Sequence, residues 1–66
     1  MHNYAIIYSA LNTLTGKNEI LAIADDADAV ESINGADYSP GSIVIVANGG
    51  AVYMLDASGV WQVAKA

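Results

Sequence analysis

Apolar positions are densest in the last third of the chain, Pro40 to Val63 (PGSIVIVANGGAVYMLDASGVWQV), and turn residues interrupt them twice. Ser42 to Ala47 is a continuous, β-branched run bracketed by Pro40-Gly41 and Asn48-Gly49-Gly50. Its length and bracketing predict a strand rather than a helix. Asn48-Gly49 suits a type I′ hairpin turn, whose two central residues need positive φ, although Gly50 leaves the closing position open by one residue. With Asn48-Gly49 as the loop, Val46 faces Ala51, Val44 faces Tyr53 and Ile45 faces Val52. The second turn, Asp56-Ala57-Ser58-Gly59, fits a three-residue loop with a type I turn and a bulge. That register pairs Leu55 with Trp61 and Tyr53 with Val63. A two-residue Ala57-Ser58 loop would instead flip the third strand and set Trp61 beside Met54; the bulge is preferred because it gathers the large aromatics on one face.

The predicted meander then has Val44, Val46, Tyr53, Leu55, Trp61 and Val63 on one face, and Ile43, Ile45, Val52, Met54, Val60 and Gln62 on the other. Both faces are largely apolar, whereas an antiparallel sheet with one wet face alternates more cleanly. Something is expected to cover the second face, either the N-terminal part of the chain or another subunit.

Earlier in the chain, Tyr4 to Ser9 (YAIIYS) and Glu19 to Ala24 (EILAIA) are strand candidates that can pair as a hairpin, with Ala10 to Asn18 connecting them. A short helix through Leu11–Leu14 is the other reading of that connection. Asp25, Asp26 and Asp28 then precede Ala29-Val30-Glu31-Ser32-Ile33. Acids favour the positive end of a helix, Asp caps free N–H groups, and Asp28 with Glu31 has capping-box spacing. Ala27, Val30 and Ile33 recur at helical spacing, and Gly35 suits a C-terminal cap. A helix of about two turns around residues 26–33 follows, too small to cover a whole sheet face. Asn34 to Gly41 is a connecting loop that carries Tyr38. The fold class is therefore mainly β (α+β): a small antiparallel meander and hairpin domain with one short helix, residues 1–66 forming a single domain.

Composition sharpens this picture. With 66 residues the domain lies near the lower limit for folding alone. It has no cysteine for a disulfide and no Cys/His cluster for a structural zinc. Yet 55% of its residues are hydrophobic and 14% charged, too apolar for a disordered chain. Oligomerisation is the remaining source of stability. The net charge of −5, with only Lys17 and Lys65 as cations, argues against binding nucleic acid or an anionic membrane. The N-terminal stretch lacks the pattern of a signal peptide, and no apolar run is long enough to span a membrane. A soluble product made without export is the expectation.

No catalytic, cofactor or metal site emerges. Asp25-Asp26-Ala27-Asp28…Glu31 is the densest ligand cluster, but Val30 falls where an EF-hand needs an oxygen, and no central Gly follows. Helix capping and a solvated acidic face explain it. His2 is the only histidine, next to a terminus where nothing fixes it as a general base. Ser9, Ser32, Ser39, Ser42 and Ser58 are best explained as strand, helix or turn residues. The glycine pairs fit neither a P-loop nor a dinucleotide fingerprint. Tyr53 and Trp61 have the makings of a stacking platform, but in so small a chain the core or a subunit interface is favoured. Tyr38, on its loop, is the expected exposed aromatic.

The stretch Ile33 to Trp61 (INGADYSPGSIVIVANGGAVYMLDASGVW) resembles a pattern common in small structural proteins of tailed bacteriophages. Its features are Gly41-Ser42, the apolar strand Ile43–Val46, Tyr53-Met54-Leu55, and Gly59-Val60-Trp61. The resemblance covers somewhat under half of the chain and implies a virion component, with structural roles for Tyr53 and Trp61 and no catalytic residue. The short length fits a small accessory protein that decorates or cements a capsid better than a long fibre. The expectation is a non-enzymatic, multi-copy, homo-oligomeric decoration protein in the virion. Its expected partners are its own copies and other virion proteins such as the major capsid protein. The packing or interface candidates are Tyr38, Val44, Val46, Tyr53, Leu55 and Trp61. The alternative is a fibre or spike module that recognises a host-surface glycan with Tyr38 or Trp61.

Overall fold

The computed structural model describes residues 3–66. It is mainly β. Five strands, β1 (Tyr4–Asn12), β2 (Lys17–Ala24), β3 (Ile43–Val46), β4 (Val52–Leu55) and β5 (Trp61–Lys65), form one sheet in the order β1-β2-β3-β4-β5. One short helix, α1 (Ala27–Glu31), and a single 3₁₀ turn, Gly35–Asp37, lie between β2 and β3. The antiparallel meander expected from the last third is present, within a larger mixed sheet. β1 and β2 form an antiparallel hairpin, but β2 and β3 run parallel, with Ala22 beside Val44 and Ala24 beside Val46. Parallel neighbours cannot be joined by a tight turn and need a crossover, which is the role of α1 and the loop after it.

The meander register follows the sequence reading. Val44 faces Tyr53, Ile45 faces Val52, Leu55 faces Trp61 and Tyr53 faces Val63. The first turn differs in detail. Asn48 does not take positive φ; Gly49 (100°) and Gly50 (75°) do, and the Gly50 N–H donates to Val46 O at 2.9 Å. Two adjacent glycines supply the left-handed residues more cheaply than Asn can. The N-terminal hairpin closes in the same way, with Gly16 (φ 73°) donating to Asn12 O at 2.8 Å. Its connection is therefore Thr13–Gly16, not Ala10–Asn18, and no helix forms through Leu11–Leu14.

The helix is shorter than two turns and is capped differently. Asp26 is the N-cap, its Oδ1 accepting from Ala29 N at 2.9 Å, so no Asp28–Glu31 capping box forms. The C-cap is Ser32. Gly35 instead begins the 3₁₀ turn, where a Cβ would run into the carbonyl oxygen of Gly59. Gly35 is thus required for close approach rather than for ending a helix.

Ile20, Ala22 and Ala24 of β2, Val44 and Val46 of β3, and Ala29, Val30 and Ile33 of the crossover make the core. The crossover covers only the middle of this face. At its margins Tyr4, Ile6 and Val63 stay exposed.

Candidate functional surface

The six packing candidates divide by depth. Val44, Val46 and Leu55 are fully buried, so none of them presents a surface to a partner. Tyr53 and Trp61 are half-buried against the core. The Trp61 indole Nε1–H donates to Ile33 O at 3.0 Å, tying β5 to the segment after α1. An indole held in this way contributes area and one directed bond to packing. Tyr38 is a correction to the sequence reading: it is half-buried against the core and bridged to Asn18, and the most exposed aromatic among the described residues is Tyr8. His2 lies outside the described residues.

The candidate serines form structure. Ser39 and Ser42 are buried, and the Ser42 hydroxyl donates to Ser39 O (2.7 Å) while accepting from Ile20 N (3.0 Å). Ser39 Oγ accepts from the Thr15 hydroxyl at 2.9 Å. This clasp fastens the β1–β2 hairpin to the start of β3, and no side chain in it is set up to activate a nucleophile. Asp56 is held by its own turn. Its Oδ1 accepts from the Ser58 hydroxyl (2.7 Å), Ser58 N (2.9 Å) and Val60 N (3.0 Å), and its Oδ2 accepts from Gln62 Nε2 (3.0 Å). The Ser58 hydroxyl, followed by the Val60 N–H and the Gln62 amide, favours the charged carboxylate and holds its pKa down to about 2. No group of acids and histidines among the described residues is placed to hold a metal ion, and no helix there is long and apolar enough to cross a membrane.

Two surfaces remain. One is a cleft of about 240 Å³ between the crossover and the β4–β5 turn, lined in part by Lys17, Asn34, Tyr38, Pro40 and Ser58. Trp61 is not among the residues that line it. The other is the sheet face opposite α1. Register places Ala5, Ile23, Ile45, Val52 and Lys65 in one row across it, and Tyr8, Leu21, Ile43, Met54 and Gln62 in the next. All but Lys65 and Gln62, both on β5, are apolar or aromatic. Leu21, Ile23, Ile43, Ile45 and Val52 are half-buried only by their neighbours in the sheet, while Tyr8 (62%) and Met54 (44%) stand exposed. Among the described residues no element crosses this face; the N-terminal part of the chain extends the apolar surface as strands β1 and β2 instead of covering it.

Compared with protein-family models, curated proteins and solved structures, the chain matches none of them.

Proposed function

We propose that the chain is a non-enzymatic structural protein of a bacteriophage virion, a capsid decoration or cement protein present in many copies. The observation that carries this reading is the two-row apolar face of the sheet. Contiguous apolar surface on a small domain marks a contact site, and its burial against other copies or the capsid shell would supply the stability that 66 residues without disulfides lack. Asp26, Asp28, Glu31 and Asp37 belong to the crossover on the other side, and Glu19, next after Leu21 on this face by register, stands beyond the two apolar rows. The phage-like pattern in residues 33–61 supports the same reading, and so does the use of Ser39, Ser42, Asp56 and Trp61 in internal hydrogen bonds.

The test is peptide-counting mass spectrometry on gradient-purified particles of a phage that encodes this chain. Copy numbers comparable with those of the major capsid protein are expected. Abundance in the lysate with absence from the particles sinks the proposal.

The cleft favours a second reading, a glycan-binding module, because it combines an aromatic edge (Tyr38) with a cation (Lys17) and an amide (Asn34). Titration with host-surface oligosaccharides followed by NMR separates the two. Saturable shifts confined to Lys17, Asn34, Tyr38 and Ser58 support the module; unmoved spectra favour the structural protein.

A further inference from the structure

The two edges of the sheet differ. β5 is five residues long and ends at Lys65, features that discourage a further strand, while a register shift marks both edge strands. β1 is nine residues long and wholly uncharged, and all its residues but Ala10 and Asn12 are exposed. Tyr4, Ile6, Ile7, Tyr8 and Leu11 put large apolar side chains on this one edge strand. Among the described residues nothing covers it. An edge this long, apolar and free of Lys, Pro or inward charge is a template for another strand.

We infer that β1 is a self-pairing edge: two copies of this chain join β1 to β1 antiparallel about a two-fold axis, giving a dimer with one ten-stranded sheet. This rests on the multi-copy reading above and names the surface that makes the first contact. The multi-copy reading supplies the occupant, a second copy, and charge selects the seam. At −5, two copies repel wherever acids meet, and the uncharged β1 is the edge on which they approach without opposing like charges. The backbone is available as well. Asp25 N donates to Asn3 O at 2.9 Å. The alternation of an antiparallel ladder then points the N–H and C=O of Tyr4 and Ile6 away from β2, off the edge. The bulge at Ile7 breaks β1 into two straight runs and confines pairing to a short ladder. Because the contact is isologous, it consumes both β1 edges and leaves only the two blunted β5 edges, so assembly stops at two. The dimer also joins the two open apolar faces into one continuous surface for a shell to bury.

The test is sedimentation of the wild-type protein over a concentration series, with amide exchange read by NMR at each end of it. A discrete dimer is expected, in which the Tyr4 and Ile6 amides exchange about tenfold or more slowly than after dilution to monomer. Ile7→Lys, with its fold checked by NMR, is expected to be monomeric, whereas Met54→Lys on the open face stays dimeric. If Met54→Lys splits the dimer and Ile7→Lys does not, the edge inference is overturned while the multi-copy reading stands. An open-ended polymer, or a dimer whose Tyr4 and Ile6 amides remain fast, overturns the edge inference in the same way. A wild-type monomer at every concentration overturns it too; detection of the chain on particles would then keep the decoration reading intact without it.

Discussion

A single carboxylate organises the turn between β4 and β5. Asp56 gathers four donors from Ser58, Val60 and Gln62, which is why its pKa is depressed from 3.8 to about 2. The consequence has a definite sign. A carboxyl whose folded pKa lies below its unfolded value stabilises the fold above the unfolded pKa, and that contribution is lost as pH falls through the folded one. Urea unfolding of the wild type and Asp56→Asn is therefore expected to differ at pH 6 and to converge between about pH 4 and about pH 2. A difference that persists unchanged to pH 2 would assign the effect of Asp56 to turn geometry alone. Ser42 acts at the same scale in the core. Its hydroxyl satisfies the Ile20 N–H, a buried donor that β2 would otherwise leave without a partner at the start of the parallel pairing.

Between elements, Gly35 and Gly59 let the crossover lie against the β4–β5 turn. A Cβ on Gly35 would strike the Gly59 carbonyl and come within 2.7 Å of Leu55 Cδ1, both of them fixed by the turn and the core. Gly35→Ala is expected to lower stability by about 1–3 kcal/mol through this overpacking, read as a lower urea midpoint. An unchanged midpoint would mean that the crossover shifts freely over the turn. The sequence disclosed the meander because its signals are local: β-branched runs, an Asn48-Gly49-Gly50 turn, and an Asp56–Gly59 turn that sets the register of Trp61 and Val63. It disclosed a helix after the aspartates for the same reason, although it set the capping box at Asp28 and made the helix too long. The parallel pairing of β2 with β3 was not legible, because it joins residues about 22 apart and no turn chemistry marks it. Gly35 was misread because a glycine needed for space looks the same in sequence as one needed for a cap. Tyr38 was misread because a polar loop carries no sign that its aromatic folds back onto the core. The exposed β1 edge was missed for a related reason: its apolar residues on both faces look like those of a buried strand until the sheet order places it outermost.

At the scale of the molecule, two apolar faces of one sheet have unequal cover, and this separates folding from association. A domain of this length has about 3–10 kcal/mol of total stability. Ile33, on the crossover, is 2% exposed, and Ile33→Ala, at about 2–5 kcal/mol, removes much of that total. Ile45 has the same side chain on the open face, where the chain itself half-buries it and nothing packs from above among the described residues. Truncating it leaves no cavity inside the free protein, so Ile45→Ala is expected to lower the urea midpoint by far less than Ile33→Ala. If a capsid shell or a neighbouring copy closes over this face, the same substitution strips apolar contact from the assembled state. Particles carrying Ile45→Ala are then expected to lose the chain on dilution or mild heating, although its isolated fold is intact. Unfolding midpoints and retention on particles, measured for both variants, separate the cases. Equal damage to the free fold from the two substitutions would mean that the open face is already covered in solution. A folded Ile45→Ala protein retained on particles as firmly as the wild type would mean that the face contacts nothing there.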